Sequence, residues 1–299
     1  MARAVLAALN GSIPGLKVWA GEIGPHPGRS PGCDHSSLRW SNWGDTFWYV
    51  DSMCQKALNG YDMFCRQDFV GIDYGLVDCA TLAPLPDYYA GIIWAKTMGT
   101  QVLSASSTNS STGGVRAYAH CSAGSGADVT VVLVNLANAS RPSAQLVVAG
   151  KLLPASVAAT RYSFTGPSGT NSSVVALNGR ILGATLAHCG SLRLILAHSG
   201  SFWLILAPFC PSLSHFAPFL LICGSALDEK QRLPAMDGVE ETLSVDATTG
   251  RLVLQMVPAE SVQFIVLQGV GAALGCGSGS VNCRSLCDRK RDHTSSTRV

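Results

Sequence analysis

Glu22 is the only glutamate in the first 228 residues, and it closes a short apolar run, Leu16 to Ile23. Pro14-Gly15 leads into that run and Gly24-Pro25 leads out of it, the punctuation of a strand between two turns. A carboxylate at the C-terminal end of a strand can act as nucleophile, base or acid if the strand belongs to a parallel α/β barrel, where reacting groups sit at strand ends. On position alone an ordinary loop carboxylate is the stronger reading. His26 and His35 follow in a Gly/Pro/Ser loop, but no companion ligand stands at metal-site spacing. Cys283 and Cys287 form half of a zinc pattern with no second half. The residues predict no metal and no cofactor.

The elements that must position Glu22 read as strand–loop–helix, twice. After the first strand, Asp45 opens a helical pattern with Phe47, Val50, Cys54, Ala57 and Leu58 on one face and Gly60 as its stop. Tyr61–Val70 is a second strand, a loop runs through Tyr74 to Pro86, and Asp87 caps a second helix that ends at Gly99. This repetition is the unit of a parallel α/β sheet or barrel. Beyond Gly99 the pattern changes to short Val-, Leu- and Thr-rich runs at 115–121, 129–136, 145–148, 157–164, 174–177, 252–257 and 262–267. Turn residues separate them, including the hairpin signal Asn178-Gly179, and the pattern predicts an antiparallel β-sandwich. The expected fold is α/β plus all-β. Its parts are a barrel-like segment over 1–99, a sandwich over 100–276, and a Gly/Ser-rich, basic and disordered tail over 277–299.

With 299 residues, 47% of them hydrophobic and 13% charged, the chain can bury a sizeable core and is not a disordered polymer. A net charge of +2 makes no electrostatic case for nucleic acid. The 11 cysteines and the sequons at Asn10, Asn109, Asn138 and Asn171 favour an oxidising, secretory route. Met1–Leu9 barely approaches a signal peptide, so Met1 reads as an internal start. From Ile181 to Ala226 the chain carries one formal charge, Arg193. The two apolar runs inside it are each shorter than the roughly 20 residues that cross a bilayer. This stretch is an atypical insertion in the sandwich, with a membrane-associated segment as the other reading.

Four segments carry a more specific signal: Val-Trp-Ala-Gly-Glu-Ile-Gly-Pro-His (18–26), Ser-Pro-Gly-Cys-Asp-His-Ser-Ser-Leu-Arg-Trp (30–40), Phe-Cys-Arg-Gln-Asp-Phe-Val-Gly-Ile-Asp-Tyr-Gly-Leu-Val-Asp-Cys (64–79) and Pro-Leu-Pro-Asp-Tyr-Tyr (84–89). Together they resemble the plant-type heparanase-like glycoside hydrolases of family 79. The resemblance covers about 1–180 and 245–276 and is densest over 16–99. It implies a retaining β-glucuronidase or endo-β-glucuronidase with a (β/α)8 barrel followed by a β-sandwich. On the family's pattern the chain begins in the sixth helix, so only the seventh and eighth barrel strands are present. Glu22 is then the catalytic nucleophile, at the end of the seventh strand.

Retaining glycosidases need two carboxyl groups about 5–5.5 Å apart, one ionised and one protonated. The family's acid/base is a Glu after an Asn on the fourth strand, and this chain contains no Asn-Glu. Asp68 and Asp73 do not match that role. The resemblance further implies that Tyr74 lines the substrate cleft and that Gly28 makes a backbone contact there. Pro27 and Arg29 depart from the Asn and Gly usual beside Gly28; Arg29 reads as a loop charge, with a uronate contact as the alternative. Trp40 and Trp43 could stack on a sugar, whereas Trp19, Tyr61 and Trp94 read as packing. Cys121 and Cys276 match the pair that ties off the family's sandwich. A Cys33–Cys79 bond at the barrel mouth is plausible, and Cys54 and Cys65 read as buried thiols.

The leading expectation is therefore a secreted or cell-wall hydrolase of β-glucuronide links, here incomplete and inactive alone. Its partners are a glucuronide-containing oligo- or polysaccharide and a preceding part of the same protein, with no nucleic acid. The alternatives are a non-catalytic carbohydrate-binding fragment and an incomplete gene product.

Overall fold

The computed structural model describes residues 4, 8, 13, 16–25, 42–67, 69–70, 74–78, 82–105, 114–138, 141–146, 153–182, 193–198, 201–206, 234–246, 248–249 and 251–277.

Strand β1 (Trp19–Ile23) is followed by helix α1 (Trp43–Leu58), strand β2 (Met63–Arg66) and helix α2 (Pro86–Thr97). β1 and β2 pair in parallel, the arrangement a strand–helix–strand unit produces. Both helices begin earlier than their aspartates suggest. Asn42 caps α1, its side chain accepting the Asp45 amide at 3.3 Å, and Leu85 holds the cap position of α2 with Pro86 entering the first turn. Asp45 and Asp87 are therefore first-turn residues, free to point inward, rather than caps.

α2 runs directly into β3 (Met98–Leu103), with no loop between them. Gly99 permits this: a Cβ there would lie 2.4 Å from the Cys121 carbonyl oxygen of the neighbouring strand. Then come β4 (Val115–Ser122), β5 (Val129–Asn135), β6 (Arg141–Leu146), β7 (Ser156–Thr165), β8 (Pro167–Thr170), β9 (Val175–Leu177) and β10 (Arg180–Leu182). β11 (Arg193–His198), β12 (Ser201–Leu206), β13 (Val239–Ser244), β14 (Leu252–Val257), β15 (Ser261–Leu267) and the short helix α3 (Gly271–Leu274) complete the order.

Eight of these strands form one antiparallel sheet in the order β10-β9-β7-β15-β5-β4-β3, with β13 also on β7. β5 and β15 lie at its centre and are buried on both faces, which is why they read as near-continuous apolar runs. Alternation divides their side chains between two apolar clusters. Val132, Val134, Phe164, Val262 and Phe264 pack against Phe47, Val50, Met53 and Ile93 of the helices. Val131, Leu133, Val157, Ile265 and Leu267 pack on the opposite face against Leu252 and Leu254 of β14, which pairs with β6. The turn between β9 and β10 is the Asn178-Gly179 hairpin, with both residues at positive φ, 50° and 80°.

The described residues are thus mostly antiparallel sheet with few helices. β3, β8, β10 and β13 are additional to the strand runs read from the sequence: each is short or broken by Gly, Pro or charge, and so carries little apolar periodicity of its own. Within 181–226, β11 and β12 pair as a hairpin from Arg193↔Leu206 to His198↔Ser201, and the remainder up to 226 lies outside the described residues apart from Ile181 and Leu182. Among the described residues no helix is long and apolar enough to cross a membrane.

Candidate functional site

Strict alternation would set Glu22 on the same side as Ala20, which is buried against the rest of the protein. The pairing is not strict. Trp19 pairs with Met63 and Ala20 with Phe64, but Ile23 pairs with Arg66, so β1 carries one extra residue across Gly21-Glu22. Such an offset re-aims the side chains beyond it. Ile23 falls on the side of Phe64 and Arg66, which face the helices, and Glu22 is turned to the other face with Trp19 and Met63. Glu22 is exposed there, and Trp19 and Met63 are 58% and 43% exposed. Glu22 is the only carboxylate on either parallel strand.

Tyr74 closes over the end of β1. A Cβ on Gly24, two residues past Glu22, would lie 2.9 Å from the Tyr74 ring, so glycine is what lets the ring approach. The Tyr74 hydroxyl donates to Gln67 Oε1 at 3.3 Å, and the Gln67 amide donates to the Ile23 carbonyl at 2.9 Å. The structure thus gathers Glu22, Gly24, Gln67 and Tyr74 at the C-terminal ends of the parallel pair.

Beneath them lies a buried charge cluster. The Arg66 side chain is 4% exposed, and its Nη2 reaches Asp45 Oδ2 at 3.2 Å, Asp87 Oδ2 at 3.1 Å and the Tyr74 carbonyl at 2.8 Å. Its Nη1 donates to the Gln67 carbonyl. Thr46 Oγ1 donates to Asp87 Oδ1 at 2.8 Å. Trp48, Tyr49 and Tyr74 surround the guanidinium, with ring centroids 5.3, 5.5 and 5.7 Å away. One cation faces two buried carboxyls, and burial with the neighbouring Asp87 charge raises Asp45 from 3.8 to about 9, against the pull of Arg66. Burial also raises Asp87, opposed by Arg66 and by the hydrogen bonds it accepts. With one guanidinium between two buried carboxyls, both raised, the cluster favours keeping a proton on the pair. The sequence reading missed this cluster, taking both aspartates as helix openers. The available signal was an aspartate near the start of each helix with an arginine on the strand between them.

Other expected residues fall elsewhere. Trp43, considered for sugar stacking, is 0% exposed, and its Nε1 donates to the Glu260 carbonyl at 2.9 Å; it anchors α1 to the β14–β15 turn. Trp19, read as packing, is exposed, because the face it occupies is uncovered among the described residues. Trp94 is half-buried against His120, and Lys56 lies over the Tyr61 ring at 4.7 Å. Cys121 and Cys276 are joined as a disulfide; Cys54 is buried and Cys65 half-buried, both free. Asn138 and Asn171 are exposed. His26, Gly28, Arg29, Cys33, His35, Trp40, Asp68, Asp73, Cys79, Asn10 and Asn109 lie outside the described residues. A concavity of about 270 Å³ at the C-terminal end of α2, lined by Lys96, Asp128, Tyr162 and Gln268 among others, contains neither Glu22 nor Tyr74. Among the described residues no group of three His, Cys, Asp or Glu side chains converges on a metal-sized site.

Heparanase-like protein 1 from Arabidopsis thaliana is 38% identical over 127 residues, 42% of this chain and 22% of that protein. Heparanase from Gallus gallus is 31% identical over 185 residues, 60% of this chain and 34% of that protein. This chain carries a heparanase-like region. The heparanase-like region is also 36% identical to baicalin-beta-D-glucuronidase from Scutellaria baicalensis over 124 residues, 22% of that protein. The chain spans about a fifth of the length of the plant relatives it matches. No family model matches it. Among solved structures it is similar to the GH51 arabinofuranosidase from Xanthomonas axonopodis pv. citri, at a TM-score of 0.48 and 14% identity, covering 89% of this chain and 45% of that one.

Proposed function

We propose that this chain is the C-terminal part of a retaining, β-glucuronide-cleaving glycoside hydrolase of family 79. In this reading β1 and β2 are the seventh and eighth strands of a (β/α)8 barrel, and the antiparallel sheet with the β6–β14 pair is its β-sandwich. The observation that carries it is the one-residue offset in β1, which turns Glu22 out of the helix-facing layer and onto the face that a closed barrel makes its interior. There Glu22 attacks the anomeric carbon as the aglycone oxygen leaves, forming a glycosyl ester that water then hydrolyses. Tyr74, at the end of β1, lines the subsite for the uronate ring.

The proton for the leaving oxygen comes from a carboxylic acid outside this sequence, which has no Asn-Glu. The exposed Trp19 and Met63 support a covering partner for the same face, the preceding part of the barrel. The Cys121–Cys276 disulfide and the exposed Asn138 and Asn171 support passage through an oxidising, secretory compartment. A non-catalytic glucuronide-binding chain is the second reading, favoured by the single carboxylate on the parallel pair.

The test is to join the chain to the upstream barrel segment of a plant relative and measure release of nitrophenol from 4-nitrophenyl β-D-glucuronide. Hydrolysis is expected in the joined protein, and Glu22→Gln should lower it by about three orders of magnitude or more. Undiminished hydrolysis by the Gln variant removes the nucleophile assignment. An inactive joined protein that still binds glucuronate in calorimetry leaves the binding reading.

A further inference from the structure

Resting on the reading of Tyr74 as part of a uronate subsite, we propose that Arg66 is its positioning residue: one buried guanidinium sets the place of Tyr74 over the end of β1. Four separate segments meet at that group. Asp45 in the first turn of α1 and Asp87 in the first turn of α2 hold Nη2, while Nη1 donates to the Gln67 carbonyl at the end of β2. The fourth partner is the Tyr74 carbonyl, at 2.8 Å, so the loop after β2 is pinned through its backbone at the residue whose ring covers Gly24.

A buried ion pair does not by itself explain such a cluster, since packed apolar residues often hold helices to a strand as well or better. What an apolar group cannot do is donate to a loop carbonyl while keeping two helix starts in register. Lysine cannot substitute, because its single nitrogen lacks the planar fork that spans Tyr74, Gln67 and the carboxyls together. Three aromatic rings flank the guanidinium with centroids 5.3–5.7 Å away. Arg66 thus touches no substrate, and its effect on the site passes through Tyr74.

The full chain, with 3-fluorotyrosine placed at position 74, gives a local readout by fluorine NMR, paired with amide exchange at Val77 and Asp78. Those amides donate to the Phe69 and Ala83 carbonyls within the same loop. In Arg66→Lys the Val77 and Asp78 amides are expected to exchange about 10- to 100-fold faster, the loss of one charge-assisted hydrogen bond. The fluorine signal should move toward its unfolded position, while exchange at Val131–Val134 of β5 stays unchanged. Thr46→Val is the second, milder variant, should Arg66→Lys fail to fold. It frees Asp87 Oδ1 without touching the guanidinium and should loosen the same loop by a few-fold.

Unchanged exchange at Val77 and Asp78 in both variants overturns the proposal. So does an equal rise at β5, the mark of a merely structural role. Titrating the unaltered chain, joined to the upstream barrel segment of a plant relative, with D-glucuronate, and with D-glucose as control, separates the subsite from the clamp. A fluorine shift with glucuronate alone supports the subsite and the clamp together. No shift, with the loop still loosened in Arg66→Lys, removes the uronate subsite and leaves Arg66 as the clamp of a loop with no such ligand.

Discussion

The antiparallel sheet and the parallel pair β1–β2 are both built on alternation, yet their outer surfaces differ. At the centre of the sheet, Phe264 and Ile265 are adjacent in sequence and both 0% exposed, because helices cover one face and β14 the other. In the parallel pair, Ala20 and Phe64 face the helices as the sheet does, but Trp19 and Met63 on the reverse face stay 58% and 43% exposed among the described residues. The first region covers its own apolar surface; the second has a face left open among the described residues. That face is the one to which the offset in β1 turns Glu22. The exposed apolar side chains and the candidate carboxylate therefore lie on one surface among the described residues.

The largest expected effect is at the sheet. Phe264→Ala removes a ring packed edge-on to Phe164 at the meeting of sheet and helices, and should cost about 3–5 kcal/mol in a urea titration. Replacing both Cys121 and Cys276 by Ala opens a covalent loop spanning 155 residues, and should cost about 2–4 kcal/mol in the same titration. A value near zero for either would mean that the sheet is not the self-sufficient region described.

Asp45→Asn tests the junction between the two regions. The folded Asp45 holds its proton to about 9, far above its ordinary value of 3.8. Between those pH values the native state binds more protons than the unfolded one, so this group makes stability fall as pH rises. The Asn variant should show a shallower fall between pH 5 and 8, measured by urea midpoints; Asp87, also raised, keeps part of the slope. An unchanged slope would place the proton elsewhere.

The smallest effect belongs to the exposed face. Trp19→Ala in this chain should change stability by no more than about 0.5 kcal/mol. In a protein completed by upstream barrel strands, the same change should cost about 2 kcal/mol or more, since burial is what gives a large apolar side chain its worth. Equal small values in both would sink the idea that this face is covered in the whole protein.

Much of the fold was legible in the sequence. The runs at 129–136 and 262–267 read as strands because central strands are apolar on both faces, and Asn178-Gly179 read as a hairpin because few other pairs adopt positive φ so readily. Edge strands such as β13, Val-Glu-Glu-Thr-Leu-Ser, were not legible: their charges fit solvent, and only pairing with β7 makes them strands. Glu22 was legible as the one glutamate at a strand end, whereas the side it faces was not. A register offset is a property of two strands together, and no single strand encodes it.

What the sequence determined by itself was local: where helices and strands run, which residues are apolar, and which single carboxylate stands at the end of a parallel strand. The tertiary structure alone decided that Asp45, Arg66, Asp87 and Tyr74, spread over 43 residues of chain numbering, share one buried site. Hydrogen bonds and ion pairs act over a few ångströms in space, and only the folding of α1 and α2 against β2 brings those groups within that range.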